Sequence, residues 1–115
     1  NNVLKEKNYD FLIFGSSSQY IKNFIEVLDS NIILNSNLVL FTHTPLSKKE
    51  DFISNQHTGY KGHQIIRSFN FIKEKMKKNK FELIFKSALP PELASVDKEK
   101  TKDTIYSNLL FKRIL

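Results

Sequence analysis

Three consecutive serines are the first residues of this chain whose types and spacing could do chemistry. Ser16, Ser17 and Ser18 follow Gly15 directly after an apolar run. A serine nucleophile would need a histidine and an acid in contact with it. However, Gln19 stands where the nucleophile motif Gly-x-Ser-x-Gly requires its second glycine. A serine hydrolase is therefore only a minor alternative, and the serines need another explanation.

The three histidines are the other candidates for chemistry. His57 and His63 lie in a long polar stretch downstream of Glu50 and Asp51, a combination that could hold a metal ion. Their spacing matches no helical i, i+4 pair, so solvent-exposed histidines are the simpler interpretation and we expect no metal site. The third, His43, follows an apolar run. A histidine is also a suitable general base, because its ordinary pKa lies near neutral pH.

The elements that must position these residues alternate between strands and helices. Apolar runs predict four strands, at residues 11–14, 38–41, 81–85 and 105–114. Apolar stripes at helical spacing predict two helices, over 19–28 and 65–76. Crossover helices make the first three strands parallel, whereas a loop without a helix makes the last strand antiparallel.

This order predicts a three-layer α/β fold: a Rossmann-like partial sheet of three parallel strands plus a C-terminal antiparallel strand, with flanking helices. We expect one domain over 1–115, with a frayed lead-in at 1–8. The strands should lie in the order first, second, fourth, third. Pro45 should end pairing of the second strand. A flavodoxin-like domain is the alternative, and its final strand would be parallel.

Ligands of open α/β sheets bind beyond the carboxyl ends of the parallel strands. The loops 15–20 and 42–63 both leave those ends, so we expect them to lie side by side. Gly15 would let the backbone approach a ligand closely. Helix capping by the serines is the alternative explanation, and it is compatible with a ligand site.

A resemblance follows from this ordered set of segments. The stretches YDFLIFGSSSQYI, NLVLFTHTP, FELIFKSALP and TIYSNLLFKRI are together similar to the C-terminal half of a class I S-adenosylmethionine-dependent methyltransferase. In that fold the fourth strand carries a Tyr-Asp-x-apolar pattern, here from Tyr9, and the last two strands close the sheet as a reversed hairpin. More narrowly, SSSQYI and THTPLSKKEDFISNQHT resemble methyltransferase-like proteins of bacterial surface-polysaccharide gene clusters. The chain departs from them at His43, where they have Arg, and in the stretch 53–57.

The resemblance implies a set of functional residues. S-adenosylmethionine would be the cofactor of the intact protein, and a small molecule or glycan, such as a sugar or glycolipid, would be the methyl acceptor. His43 or His57 would act as general base for O-methylation. The implied cofactor contacts are Gly15, Ser16, Ser17, Gln19 and Tyr20. The implied substrate contacts are Thr44, Tyr60 and His63.

Only half of such an enzyme is covered by the resemblance. The glycine-rich loop that would wrap the methionine moiety is absent, and so is the acidic residue that would hold the ribose. We therefore expect these residues alone to be inactive. Their first strand would also be an open apolar edge, paired by a second copy as a homodimer or by a missing N-terminal half.

Composition limits the other classes of function. The chain has no cysteine, no apolar run of the ~20 residues that span a membrane, and no signal peptide, so we expect a cytoplasmic protein. Its net charge of +6 comes almost entirely from lysine. Because base-specific readers usually rely on arginine, we expect no nucleic-acid partner. The alternative function is a non-catalytic α/β interaction module whose basic helix 64–79 docks on an acidic partner.

Overall fold

Six strands and four helical segments are present in the computed structural model, which describes residues 8–15, 17–55, 63–88 and 104–114. The strands are β1 (Tyr9–Gly15), β2 (Ser36–Ser47), β3 (Phe52–Asn55), β4 (His63–Ser68), β5 (Phe81–Ala88) and β6 (Thr104–Arg113). The helical segments are a 3-10 turn (Ser18–Tyr20), α1 (Phe24–Leu28), α2 (Asn31–Leu34) and α3 (Phe69–Lys78).

The predicted fold class, a three-layer α/β sheet with flanking helices, is wrong. Strand residues outnumber helical ones in the described part, where only α3 is an α-helix longer than five residues. The sheet is mixed, in the order β3-β4-β2-β6-β5, with β1 also paired to β2. Antiparallel pairs join β3 to β4, β2 to β6, and β6 to β5.

The first predicted helix, over 19–28, is replaced by three short segments. The 3-10 turn ends at Tyr20, α1 begins at Phe24, and α2 follows only after Asp29 and Ser30. Asn, Asp and Ser side chains favour turns because they compete for backbone hydrogen bonds. Phe24 and Leu28 of the predicted apolar stripe are buried, but the backbone is interrupted twice and does not form one continuous helix.

The second predicted helix, over 65–76, begins as a strand. Residues 63–66 pair antiparallel with β3, and β-branched Ile65 and Ile66 suit that conformation. The helix starts only after Ser68, whose Oγ accepts a hydrogen bond from the Phe71 N–H at 3.3 Å. The helical spacing of the apolar residues therefore spans two different elements.

The four strands predicted from the sequence nevertheless have the expected neighbours. β1 pairs in parallel with β2, and β6 lies antiparallel between β2 and β5. Because β6 occupies one edge of β2, β1 and β4 must share the other edge. β1 pairs with residues 36–42 of β2, and β4 pairs only with Leu46 and Ser47 of β2.

The prediction that Pro45 ends the pairing of the second strand is also wrong, because β2 continues to Ser47. Pro45 lies opposite Tyr106 of β6. On the other edge of β2, residues 43–45 pair with neither β1 nor β4. A residue without an N–H is tolerated at such an interruption.

The hydrophobic core lies on one face of the sheet. Phe41 stacks on Phe14 at 4.9 Å between ring centroids and meets Phe24 and Phe111 edge to face. The side chains of α1, α2 and α3 that are buried join this same cluster. On the opposite face, Phe11 and Ile13 are 46% and 58% exposed, and no described helix covers them. The described residues therefore form two layers.

Candidate functional site

The tips of β1 and β2 lie side by side, as the sequence predicts. Gly15 is opposite Thr42 in the parallel register, and His43 follows at once. The pairing of β2 with β6 is irregular between Phe41 and Thr44, and His43 has φ of 47°. A non-glycine residue in the left-handed region costs of order 1 kcal/mol or more, and such conformations recur at functional sites.

Side chains from β5 and β6 brace this irregular turn. The His43 N–H donates to Asn108 Oδ1 at 3.0 Å, and Asn108 Nδ2 donates to Ser87 Oγ at 2.9 Å. The backbone of His43 is thus held while its side chain lies on the surface. His43 therefore follows directly after Thr42, the strand partner of Gly15, with a fixed backbone.

The segment after β1 is packed rather than open. The 3-10 turn contacts β4 and β2, and Ser18 and Gln19 are buried. Tyr20 is half exposed, and Ser17 precedes the turn without a side-chain capping hydrogen bond. The capping role considered for Ser17 is therefore not observed. Gly15, Ser17 and Tyr20 are the accessible members of the predicted cofactor set, while Gln19 lies in the interior.

Arg67 holds this segment in place, a role that the sequence analysis missed. Its Nη2 donates to the Ile21 carbonyl at 2.5 Å, and its guanidinium lies 5.5 Å from the centroid of the Phe24 ring. Nη1 of Arg67 lies 4.0 Å from Oδ2 of Asp51. Burial lowers the pKa of Arg67, while Asp51 acts in the opposite direction. The available signal was an arginine that directly follows two isoleucines in the stretch QIIRSF.

The remaining predicted site residues lie in different parts of the structure or outside the described residues. Thr44 is buried and donates its hydroxyl to the Thr42 carbonyl at 3.1 Å. His63 begins β4 opposite Asn55, and β4 joins β2 only further on. Ser16, His57 and Tyr60 lie outside the described residues. The strand register therefore brings together Gly15 and residues 42–44, but not His63.

The described residues contain neither a cluster of metal-binding side chains nor a helix that could span a membrane. No three or more His, Asp or Glu side chains there are grouped as a metal site would require. None of the helices in those ranges has the length and apolar character needed to cross a bilayer.

The accessible residues fit one wall of a cofactor site. Among the described residues, a methyl group added at Gly15 would meet only Thr42 Oγ1, at the ordinary contact distance of 3.9 Å, so the backbone there has room for a close neighbour. No counterpart of the glycine-rich loop or of the ribose-binding acid exists in the sequence. The residues here would contact S-adenosylmethionine on one side only, and the sequence holds no counterpart for its methionine and ribose contacts.

Comparison with known proteins found no matching family model and no matching curated sequence.

Proposed function

We propose that this chain is the C-terminal portion of a cytoplasmic S-adenosylmethionine-dependent methyltransferase that acts on a small-molecule or glycan acceptor. The observation that carries the proposal is the juxtaposition of Gly15 with Thr42 and His43 at the tips of two parallel strands. The order β1-β2-β6-β5, with β6 reversed, supports it as well. A reversed hairpin at the sheet edge is the arrangement that the sequence resemblance implies.

In this proposal the protein residues mainly bind and position. The cofactor would supply the reactive methyl group when bound. Gly15 would allow the end of β1 to lie against it, and Tyr20 and Ser17 would offer polar or aromatic contacts beside it. Positioning two reactants in line lowers the entropic part of the barrier, which is the main demand of a transfer between small groups.

His43 is the candidate general base of the proposed reaction. Its backbone is fixed by Asn108, its side chain is exposed, and it follows Thr42, the strand partner of Gly15. From there it would accept the proton of an acceptor hydroxyl as the methyl group arrives. General bases of this kind contribute about 10²–10⁴-fold in rate.

The first experiment tests cofactor binding in two chain lengths. S-adenosylmethionine is titrated calorimetrically into these 115 residues and into a chain that adds the upstream coding sequence. Saturable binding by the longer chain, and little or none by the shorter one, is the expected result. Absence of binding by both chains would contradict the proposal.

Gly15→Ala separates binding from folding. Because the new Cβ meets only one atom at 3.9 Å, the melting temperature should stay the same or rise slightly. The added methyl group occupies the surface that the ligand would approach, so affinity for S-adenosylmethionine in the longer chain should fall at least tenfold. Unchanged affinity would show that the ligand does not lie against β1.

An interaction module is a second candidate, favoured by a groove between α3 and β5, a strand that pairs only with β6 within the described ranges. Its volume is about 410 Å³, and its lining combines two lysines and one carboxylate with apolar side chains: Lys73, Lys77, Phe81, Glu82, Leu83 and Ile114. The Ile114 N–H donates to the Lys80 carbonyl at 2.7 Å, so the alternating backbone groups of Phe81 and Leu83 point away from β6. They would pair with an added strand.

The groove fits an extended peptide with acidic residues at alternate positions. Lys73 and Lys77 are about 6 Å apart along the helix axis, close to the roughly 6.6 Å between alternate residues of a strand. A Val-Glu-Thr-Glu-Val peptide should therefore bind better than Val-Glu-Glu-Thr-Val, which has the same composition. Fluorescence anisotropy with wild type and Lys77→Glu tests this. Equal binding of both peptides would reject the peptide site.

A further inference from the structure

A small pocket at the carboxyl end of β2 has a mainly apolar lining that also contains several polar side chains. It encloses about 70 Å³ and lies where the end of β2, the start of α3 and strands β5 and β6 meet. The residues that carry the argument are Ser47, Lys48, Phe69, Asn70, Lys86 and Ser107. A volume of this size holds a few water molecules or one small ion, and it is too small for a whole nucleotide.

Ser107 points to a ligand in this pocket. Its side chain is 1% exposed, and its Oγ has no hydrogen-bond partner among the described residues. Buried hydroxyl groups are nearly always paired, because an unpaired one has lost its hydrogen bonds to water without replacement. The hydroxyl of Ser107 can donate to an acceptor atom in the pocket.

The charges around the pocket define that acceptor. Lys48 and Lys86 contribute two ammonium groups, and none of the described residues that line the pocket is acidic. Lys86 Nζ lies 4.0 Å from the centroid of the Phe69 ring, which fixes its position at the mouth. The lining is therefore cationic on two sides.

The start of α3 adds a third positive contribution. Phe69 and Asn70 are in the first turn of this ten-residue helix, where backbone N–H groups have no partner within the helix. The Asp51 carboxylate accepts the Ser68 N–H at 2.6 Å, and the Ser68 hydroxyl accepts the Phe71 N–H, so the N–H groups of Phe69 and Asn70 are the ones left for a ligand. The positive end of the helix dipole favours an anion at this place.

We propose that this pocket binds a tetrahedral oxyanion, either free phosphate or the phosphoryl group of a larger ligand. The two lysines supply charge, the first turn of α3 supplies N–H donors, and Ser107 donates its hydroxyl. The site lies beyond the carboxyl ends of β2 and β5, the edge at which sheets of parallel strands bind ligands. The inference does not depend on the methyltransferase proposal.

Nuclear magnetic resonance titration tests the site. Inorganic phosphate is added to the ¹⁵N-labelled chain at constant ionic strength maintained with chloride. The amides of Phe69, Asn70 and Ser107 should shift and saturate together. Acetate should bind at least tenfold more weakly, because its planar carboxylate has two oxygens where phosphate has four and carries less negative charge. Methyl phosphate distinguishes the two sources: tighter binding than phosphate indicates an attached phosphoryl group, and weaker binding indicates the free ion.

Three variants complete the test. Lys86→Met keeps the aliphatic contact with Phe69 and should weaken phosphate binding at least fivefold. Lys112→Met, an exposed lysine outside the pocket, is the matched control and should leave binding unchanged. Ser107→Ala should weaken binding at least threefold without lowering the melting temperature, since its hydroxyl has no described protein partner.

The opposite results would overturn the inference. Shifts that never saturate, or that Lys112→Met reduces as much as Lys86→Met, would mean a diffuse cationic surface. Equal affinity for acetate and phosphate would exclude a site shaped for a tetrahedral ion. A Ser107→Ala variant that loses stability but keeps phosphate affinity would show that the hydroxyl serves the fold alone.

Discussion

At the scale of single residues, both arginines form hydrogen bonds with backbone carbonyls that are distant in the sequence. Arg113 at the end of β6 donates from Nε to the Ser36 carbonyl at 2.8 Å and from Nη2 to the Ile33 carbonyl at 3.0 Å, with a further bond to the Leu34 carbonyl. Its guanidinium lies 4.6 Å from the centroid of the Phe81 ring. Burial lowers its pKa. The last carbonyls of α2 are thus satisfied by a residue from the other end of the chain.

Arg113→Ala should therefore destabilise the fold by about 3 kcal/mol, because it leaves helix-end carbonyls without a partner. Arg113→Lys should recover only part of this loss, since an ammonium group cannot form the same fork. Urea unfolding measures both. Lys112→Ala, one residue away and exposed, should stay within about 0.5 kcal/mol of wild type. A loss of similar size in Lys112→Ala would contradict this role of Arg113.

Asp29 gives a pH-dependent contribution. Lys75 Nζ lies 2.7 Å from its Oδ2, and Asn79 Nδ2 donates to its Oδ1 at 2.9 Å. The hydrogen bond from Lys75, followed by that from Asn79, lowers the pKa of Asp29 below its ordinary value. A depressed pKa means that the stabilisation is present above the unfolded-state pKa and is lost as pH falls through the folded-state pKa.

Asp29→Asn should accordingly be less stable than wild type at neutral pH, and the difference should shrink as the pH falls below the ordinary range of aspartate. Thermal unfolding over a pH series measures it, and added salt should reduce it because the carboxylate is largely exposed. A difference that grows towards acid pH would have the wrong sign for this account.

At the scale of elements, the apolar runs predicted four strands that the structure contains. The helical spacing of apolar residues did not predict the correct bounds of the helices. The strands β1, β2, β5 and β6 each contain a short run of mainly apolar residues, the pattern from which they were predicted. β4 escaped prediction because Ile65 stands four residues before Phe69, so a strand and the helix behind it share one helical pattern. The bend of β2 at His43 depends on Asn108, sixty-five residues away in the sequence, and no local pattern indicates it.

The candidate site could also be predicted only in part from the sequence. The adjacency of Gly15 and His43 follows from parallel pairing of two apolar strands, which the sequence indicates. The burial of Gln19 and Thr44 does not, because it results from the packing of the 3-10 turn against β4, a strand that the sequence analysis did not predict.

The start of α3 gives a direct test at this scale. Ser68→Ala removes the acceptor of the Phe71 N–H and should cost about 1 kcal/mol, whereas Ser68→Asp should keep the cap. Urea unfolding with far-ultraviolet circular dichroism follows both variants. Equal stability of Ser68→Ala and wild type would mean that the tertiary contacts of α3 alone fix where it begins.

At the scale of the whole molecule, β1 forms an edge of the sheet and carries the exposed apolar side chains of Phe11 and Ile13. Within the described ranges β1 pairs only with β2. The Tyr9 N–H donates to the Asn35 carbonyl at 2.9 Å, so the alternating groups of Asp10, Leu12 and Phe14 point to the open side. An antiparallel pair with a second copy, centred on Leu12, would place Phe11 opposite Ile13, an aromatic–β-branched pair that stabilises sheets.

These 115 residues alone should therefore form a dimer at micromolar concentrations. Asp10→Pro removes an outward N–H without removing a bond to β2, and it should give a monomer. Asp10→Ala, which keeps the N–H, should remain dimeric. Size-exclusion chromatography with light scattering measures the mass. A wild-type monomer, or dimers of both variants, would exclude pairing through β1.

The central claim is that the tips of β1 and β2 form one wall of an S-adenosylmethionine site. It is tested most directly by nuclear magnetic resonance of the ¹⁵N-labelled longer chain during titration with S-adenosylmethionine. The account predicts saturable shifts that are largest at Gly15, Ser17, Tyr20 and His43, and that Gly15→Ala weakens. Saturable binding with shifts confined to other strands, or no binding at all, would contradict it.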